Sequence, residues 1–129
     1  MIDHIGMPVR DLAGATAFYL KALAPLGISI VRQVSAEQSG HGAAVGFGAN
    51  GKPFFWIGEG ERLGGGHVHV AFAASSREAV DAFYRAGLAA GGKDNGPPGL
   101  RPHYHANYYA AFALDPDGNN IEAVCHASS

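Results

Sequence analysis

The chain carries a single cysteine, Cys125, one tryptophan and two methionines in 129 residues, and only 16% of its side chains are charged. One cysteine excludes an internal disulfide, so the fold must rest on its core, and a reducing cytoplasm is the expected setting. Nine basic residues face eleven acidic ones, for a formal charge of −2, and the basic residues nowhere form a run. Neither a nucleic-acid partner nor an anionic membrane surface is therefore expected. Apolar runs fall well short of the ~20 residues of a membrane span. The opening "MIDHIGMPVRD" lacks the basic-then-apolar order of a secretory signal, so none is expected there.

What is present is an ordinary apolar fraction of 47%, enough for one compact domain with a core and too short a chain for two full-sized ones. Seven histidines are many for this length, and nineteen glycines point to tight turns and close backbone approaches. Sliding the chain against itself by 65 residues reveals a repeat. "HIGMPVRDLAGATAFYLKAL" then lies on "HVAFAASSREAVDAFYRAGL", with His4 on His69, Phe18-Tyr19 on Phe83-Tyr84 and Leu23 on Leu88. The protein reads as one domain, residues 1–129, made of two copies of one unit, about 1–63 and 64–129.

Each unit begins with a strand that alternates around its histidine, followed by a helix. Asp11 is the expected N-cap of the first helix, which Pro25 and Gly27 stop. Ser75 and Glu78 have the spacing of a capping box for the second, stopped by Gly91-Gly92. "SIVRQVS", "GAAVGFGAN" and "KPFFWIGEG" continue the first unit as strands, and "NYYAAFALD" and "NNIEAVCH" the second. "ANGK" and "DPDGNN" are hairpin turns, while "KDNGPPGLRPHYH" is a loop or a broken strand. The unit is β-α-β-β-β, used twice, with the link near Gly64-Gly65-Gly66. The fold class is α+β.

Period two assigns faces. Ile5, Met7 and Val9 belong under the helix, as do Val68, Val70 and Phe72, so His4, His67 and His69 point to the open face. In the last strand Ile121 and Ala123 face the core, which leaves Glu122 on the open side among apolar neighbours. A buried carboxylate needs a partner. If the two sheets curl together, the partners are His4 and His69.

These segments, "DHIGMPVRDLAGATAFY", "HVHVAFAASSREAVDAFY" and "DPDGNNIEAV", resemble the vicinal oxygen chelate superfamily, which includes glyoxalase I, extradiol dioxygenases, and fosfomycin- and bleomycin-resistance proteins. The resemblance covers nearly the whole chain and implies paired modules forming a cupped mixed sheet around a divalent metal, often within a homodimer. It places the metal ligands on His4, His69 and Glu122, a set suited to Fe and acceptable to Mn, Ni, Co or Zn. Three protein ligands leave positions open for two adjacent substrate oxygens. Glyoxalase I uses a further glutamate from the first unit, but here that strand offers Phe54, Phe55 and Trp56. Extradiol enzymes have a tyrosine where Phe112 stands; Tyr108, four residues earlier, could substitute.

"RPHYHANYY" is a surface loop or a pocket wall. As a wall it would supply His105 as general acid/base, Tyr108 as hydrogen-bond donor and Arg101 for a substrate carboxylate. Phe54, Trp56 and Phe112 would shape an apolar pocket. His67 could support the metal set; His41 and His126 read as ordinary surface residues, and Cys125 as an inert core thiol. The expected function is a metal-dependent lyase, isomerase or extradiol-type dioxygenase acting on a small molecule with vicinal oxygens. The alternatives are a protein that sequesters a ligand without catalysis, as bleomycin-resistance proteins do, or a module with only a structural role.

Overall fold

The computed structural model describes residues 1–40, 42–60 and 66–128; His41, Gly64 and Gly65 lie outside them. The order is β1 (Ile5–Val9), α1 (Leu12–Leu23), a 3₁₀ turn (Ala24–Leu26), β2 (Ser29–Val34), α2 (Ala36–Ser39), β3 (Ala44–Ala49) and β4 (Lys52–Glu59). Then follow β5 (His69–Ala73), α3 (Arg77–Ala89), β6 (Lys93–Leu100), β7 (Tyr109–Leu114) and β8 (Asn120–Cys125). They form two four-stranded mixed sheets with the same plan, β1-β4-β3-β2 and β5-β8-β7-β6, each with one parallel pair.

Local chemistry sets the ends of the elements. Asp11 caps α1 by accepting the Gly14 N–H, and Pro25 and Gly27, at φ 77°, end the helical path. The cap of α3 is Ser76, which accepts from Ala79 N, and not the expected Ser75. Ser76 has the extended backbone a cap requires, one residue nearer the first helical turn. Asn50 and Gly51, both at positive φ, make the two-residue turn between β3 and β4. The uncertain "KDNGPPGL" stretch is a broken strand: β6 pairs with β7 but slips register around Gly96 and Gly99. The short α2, closed by a Ser35–Gln38 capping box, was not foreseen.

The core lies between the helices and the inner faces of the sheets. Phe18, Tyr19, Phe47 and Phe55 form an aromatic cluster, and Phe55 meets Phe72 edge-on at 5.2 Å, joining the two halves. Truncating such a ring to alanine costs about 3–5 kcal/mol. α1 packs on α3, where Gly87 faces Ala22.

The turn after β7 ties the halves together. Asp115 Oδ1 accepts Asp117 N and Asn119 N, at 2.9 and 2.8 Å, and Oδ2 accepts Asn119 Nδ2 at 3.0 Å and the Tyr19 hydroxyl at 2.5 Å. Asn119 Oδ1 accepts from Val68 N, and Asp117 accepts from the Arg10 backbone and side chain. The hairpin that delivers Glu122 is thus anchored to α1, to the end of β1 and to the start of β5.

Candidate functional site

The registers align one row across the open face of the second sheet. Ala71 pairs with Glu122, Glu122 with Phe112, and Phe112 with Gly96. His69 starts β5 opposite Asn120 and reaches into this row. Its Nε2 lies 3.0 Å from Glu122 Oε1, with Glu122 2% exposed and the histidine side chain half exposed.

Both other sides of this pair are already committed. His69 Nδ1 lies 2.9 Å from the Asn120 carbonyl, which can only accept, so Nδ1 carries the proton. Glu122 Oε2 accepts the Tyr108 hydroxyl at 2.5 Å. Burial, first, and the hydrogen bond to Glu122 push the Tyr108 phenol up to about 12, so the tyrosine is the donor at neutral pH. A ring protonated only at Nδ1 would aim the Nε2 lone pair at a carboxylate oxygen, whereas a ring protonated at both nitrogens would donate to it. Two lone pairs facing each other repel unless a cation stands between them, either a second ring proton or a metal ion. An imidazole nitrogen and a carboxylate oxygen are both donor types that could hold a divalent metal.

His4 sits on the first sheet and is prepared in the same tautomer. Its Nδ1 lies 2.7 Å from Asp3 Oδ1, leaving Nε2 as the free ligand atom. Lys52 also grips Asp3, at 2.8 and 2.9 Å, and with His4 holds that carboxyl below the usual carboxylate range. Within one chain, however, His4 is not gathered with the other two. Among the described residues no three His, Cys, Asp or Glu side chains form a group able to hold a metal ion.

Overlaying the repeats explains the asymmetry. Gly6 pairs with Trp56 as Ala71 pairs with Glu122, so Trp56 occupies the first-sheet counterpart of the acid. The indole lies over Gly46, where a Cβ would come within 2.9 Å of its ring. A groove of about 640 Å³ runs between β1 and β5, lined by Asp3, Ile5, Phe54, Phe55, His69 and Phe72.

The remaining sequence candidates form a rim. Phe112 stacks on His69 with ring centres 6.2 Å apart, and Arg101 Cζ lies 5.4 Å from the centre of the same Phe112 ring. His105 is exposed; its ring meets His126, which meets Tyr108, so it approaches Glu122 only through two intervening rings. His126 belongs to this rim and was missed because a histidine just past a strand end carries no pattern. Asp3 was missed too, although a carboxylate beside a ligand-type histidine was a readable signal. His67 lies against Gly118 in the turn, and Cys125 is buried in the core.

The structure resembles that of a glyoxalase/bleomycin resistance protein from Albidiferax ferrireducens, with 30% identity, a TM-score of 0.71, and 95% of this chain and 96% of that one covered. It also resembles the fosfomycin resistance protein FosX from Listeria monocytogenes, solved with Mn(II) and 1S,2S-dihydroxypropylphosphonic acid, at 22% identity and TM-score 0.67, over 96% of this chain and 88% of that one. A glyoxalase I mutant from Zea mays is similar at 23% identity and TM-score 0.69, over 95% of this chain and 45% of the maize chain. No curated protein is similar enough to match. The model of the Glyoxalase/Bleomycin resistance protein/Dioxygenase superfamily matches residues 1–123, and the chain belongs to that superfamily.

Proposed function

We propose that this protein is a cytoplasmic, metal-dependent small-molecule enzyme, a lyase, isomerase or extradiol-type dioxygenase, whose site is completed in a homodimer. The supporting observation is the His69–Glu122 pair: an imidazole nitrogen 3.0 Å from a buried carboxylate, with both outer atoms already hydrogen-bonded. His69 and Glu122 of one chain and His4 of the other would hold a single divalent ion of Fe, Mn, Ni, Co or Zn. FosX, a structural neighbour solved with Mn(II), supports metal use on this fold. When bound, such an ion polarises a carbonyl or enolate oxygen of a substrate with vicinal oxygens.

The chain's own residues have distinct tasks in this reading. Asp3 and the Asn120 carbonyl keep both imidazoles in the Nε2-ligand form. Tyr108 holds the Glu122 carboxylate in place and keeps its proton at neutral pH. Phe54, Trp56 and Phe112 exclude water from an apolar wall, Arg101 binds a substrate anion, and His105 moves protons from the rim.

The test is complementation between two variants without a histidine tag. His4→Ala and Glu122→Gln should each bind metal at least about a hundredfold more weakly. Mixed, unfolded and refolded together, they should recover one intact site in each mixed dimer, because His4 of one chain and His69–Glu122 of the other are both native. Metal content after dialysis measures it. If the mixture stays as empty as either variant, the shared site is wrong; if the unmutated protein retains no metal, the sequestering alternative replaces the enzyme.

A further inference from the structure

We infer that Arg101 is a preorganised anchor for a carboxylate group of the substrate, set one aromatic ring away from His69 and Glu122. The inference rests on the small-molecule site proposed above and adds the chemical class of its ligand. Arg101 has five N–H donors in a rigid fork. Nη1 donates to the Gly99 carbonyl and Nη2 to the Pro97 carbonyl, both at 2.8 Å, and the guanidinium lies over Phe112 with Cζ 5.4 Å from the ring centre. Two carbonyls and a ring therefore fix the plane of the fork without using its remaining N–H groups.

The charge is left uncompensated. Among the described residues no carboxylate lies within ion-pair distance of Arg101, whereas Arg10, with its 70% exposed side chain, has Asp117. The space it occupies is reserved for it: a Cβ on Gly96 would come 3.2 Å from Arg101 Nη2 and 2.9 Å from Phe112 Cδ1. Gly96 also takes φ +146°, which L side chains rarely adopt.

Position gives the fork a purpose. Glu122, Phe112 and Gly96 share one row of the sheet, so the guanidinium stands at the far end of the row from the His69–Glu122 pair. The Arg101-to-Phe112 and Phe112-to-His69 separations are 5.4 and 6.2 Å, so the guanidinium and the imidazole both pack on one ring. One planar fork beside an apolar ring matches a planar monoanion bidentately, whereas a phosphate dianion would meet only one cation here.

The experiment uses benzoate as the probe on EDTA-treated, ¹⁵N-labelled protein. The Nε–H resonance of Arg101, assigned by its loss in Arg101→Lys, is followed at constant ionic strength. Benzoate should shift it saturably and the neutral isostere benzamide should not. Arg101→Lys, which keeps the charge and loses the fork, should weaken benzoate binding roughly tenfold or more, read from the shifts of other affected amides. Equal response to benzamide, tighter binding of inorganic phosphate, or unchanged affinity in Arg101→Lys would each overturn the assignment. If the lysine variant does not fold, the benzoate–benzamide contrast in the unmutated protein decides. Metal uptake is measured in parallel. Full uptake without a benzoate response sinks this inference alone, and a benzoate response without uptake sinks the metal reading alone.

Discussion

Asp115 and Glu122 are two buried carboxylates on one hairpin, 4% and 2% exposed, and each accepts a tyrosine hydroxyl at 2.5 Å. Their remaining partners differ. Asp115 accepts two backbone N–H groups and an asparagine amide as well, so its lone pairs face donors throughout. Among the described residues Glu122 Oε1 has one partner, His69 Nε2 at 3.0 Å. A saturated carboxylate holds a turn together, while Glu122 keeps one oxygen against a single side chain of metal-ligand type, which the proposed function uses.

Isosteric amides separate the two roles. Asp115→Asn puts an NH₂ group among donors that cannot all turn away, and should cost about 3 kcal/mol in urea unfolding. Glu122→Gln should change the stability of metal-free protein by no more than about 1 kcal/mol, since its amide oxygen can accept from Tyr108 while its NH₂ donates to His69. Metal retention should move the opposite way, lost in Glu122→Gln and kept in whatever fraction of Asp115→Asn folds. Two similar unfolding curves would erase the distinction.

The tyrosines repeat the contrast on a smaller scale. Tyr19→Phe removes a hydrogen bond to a fully buried charge and should cost about 2 kcal/mol, and Tyr108→Phe, at a half-buried site, about 1 kcal/mol. A further effect is in alkali. The folded Tyr108 phenol is raised to about 12 against an ordinary value of 10.0, so below pH 10 both states hold the proton and the contribution is complete. Between pH 10 and 12 the unfolded chain releases it first, and stability falls. Unfolding midpoints across that window should drop less steeply in Tyr108→Phe; an identical slope would show that Tyr108 does not feel Glu122.

Much of this was readable beforehand because alternation and repetition are local properties. The alternation of Ile5, Met7 and Val9 assigned His4 to the open face, and the 65-residue offset put His69 at the matching position of the second unit. Glu122 stood out as a charge in an apolar strand. The cap of α3 moved by one residue because Ser75 and Ser76 offer the same hydroxyl, and backbone conformation chooses between them. His126 and the Asn120 carbonyl carried no signal, since their roles depend on which ring or nitrogen the fold brings near. Asp115 sat in an evident turn motif, but nothing in its neighbours named Tyr19, 96 residues away, as its partner.

The sequence by itself determined the two β-α-β-β-β units, the faces of their strands and the chemical types available on each face. Only the tertiary structure decided that Glu122 meets His69 and Tyr108 while His4 stays with Asp3. Strand periodicity fixes which way a side chain points. Which distant side chain it meets depends on sheet register and on how the two sheets pack, and these are set by the whole core at once.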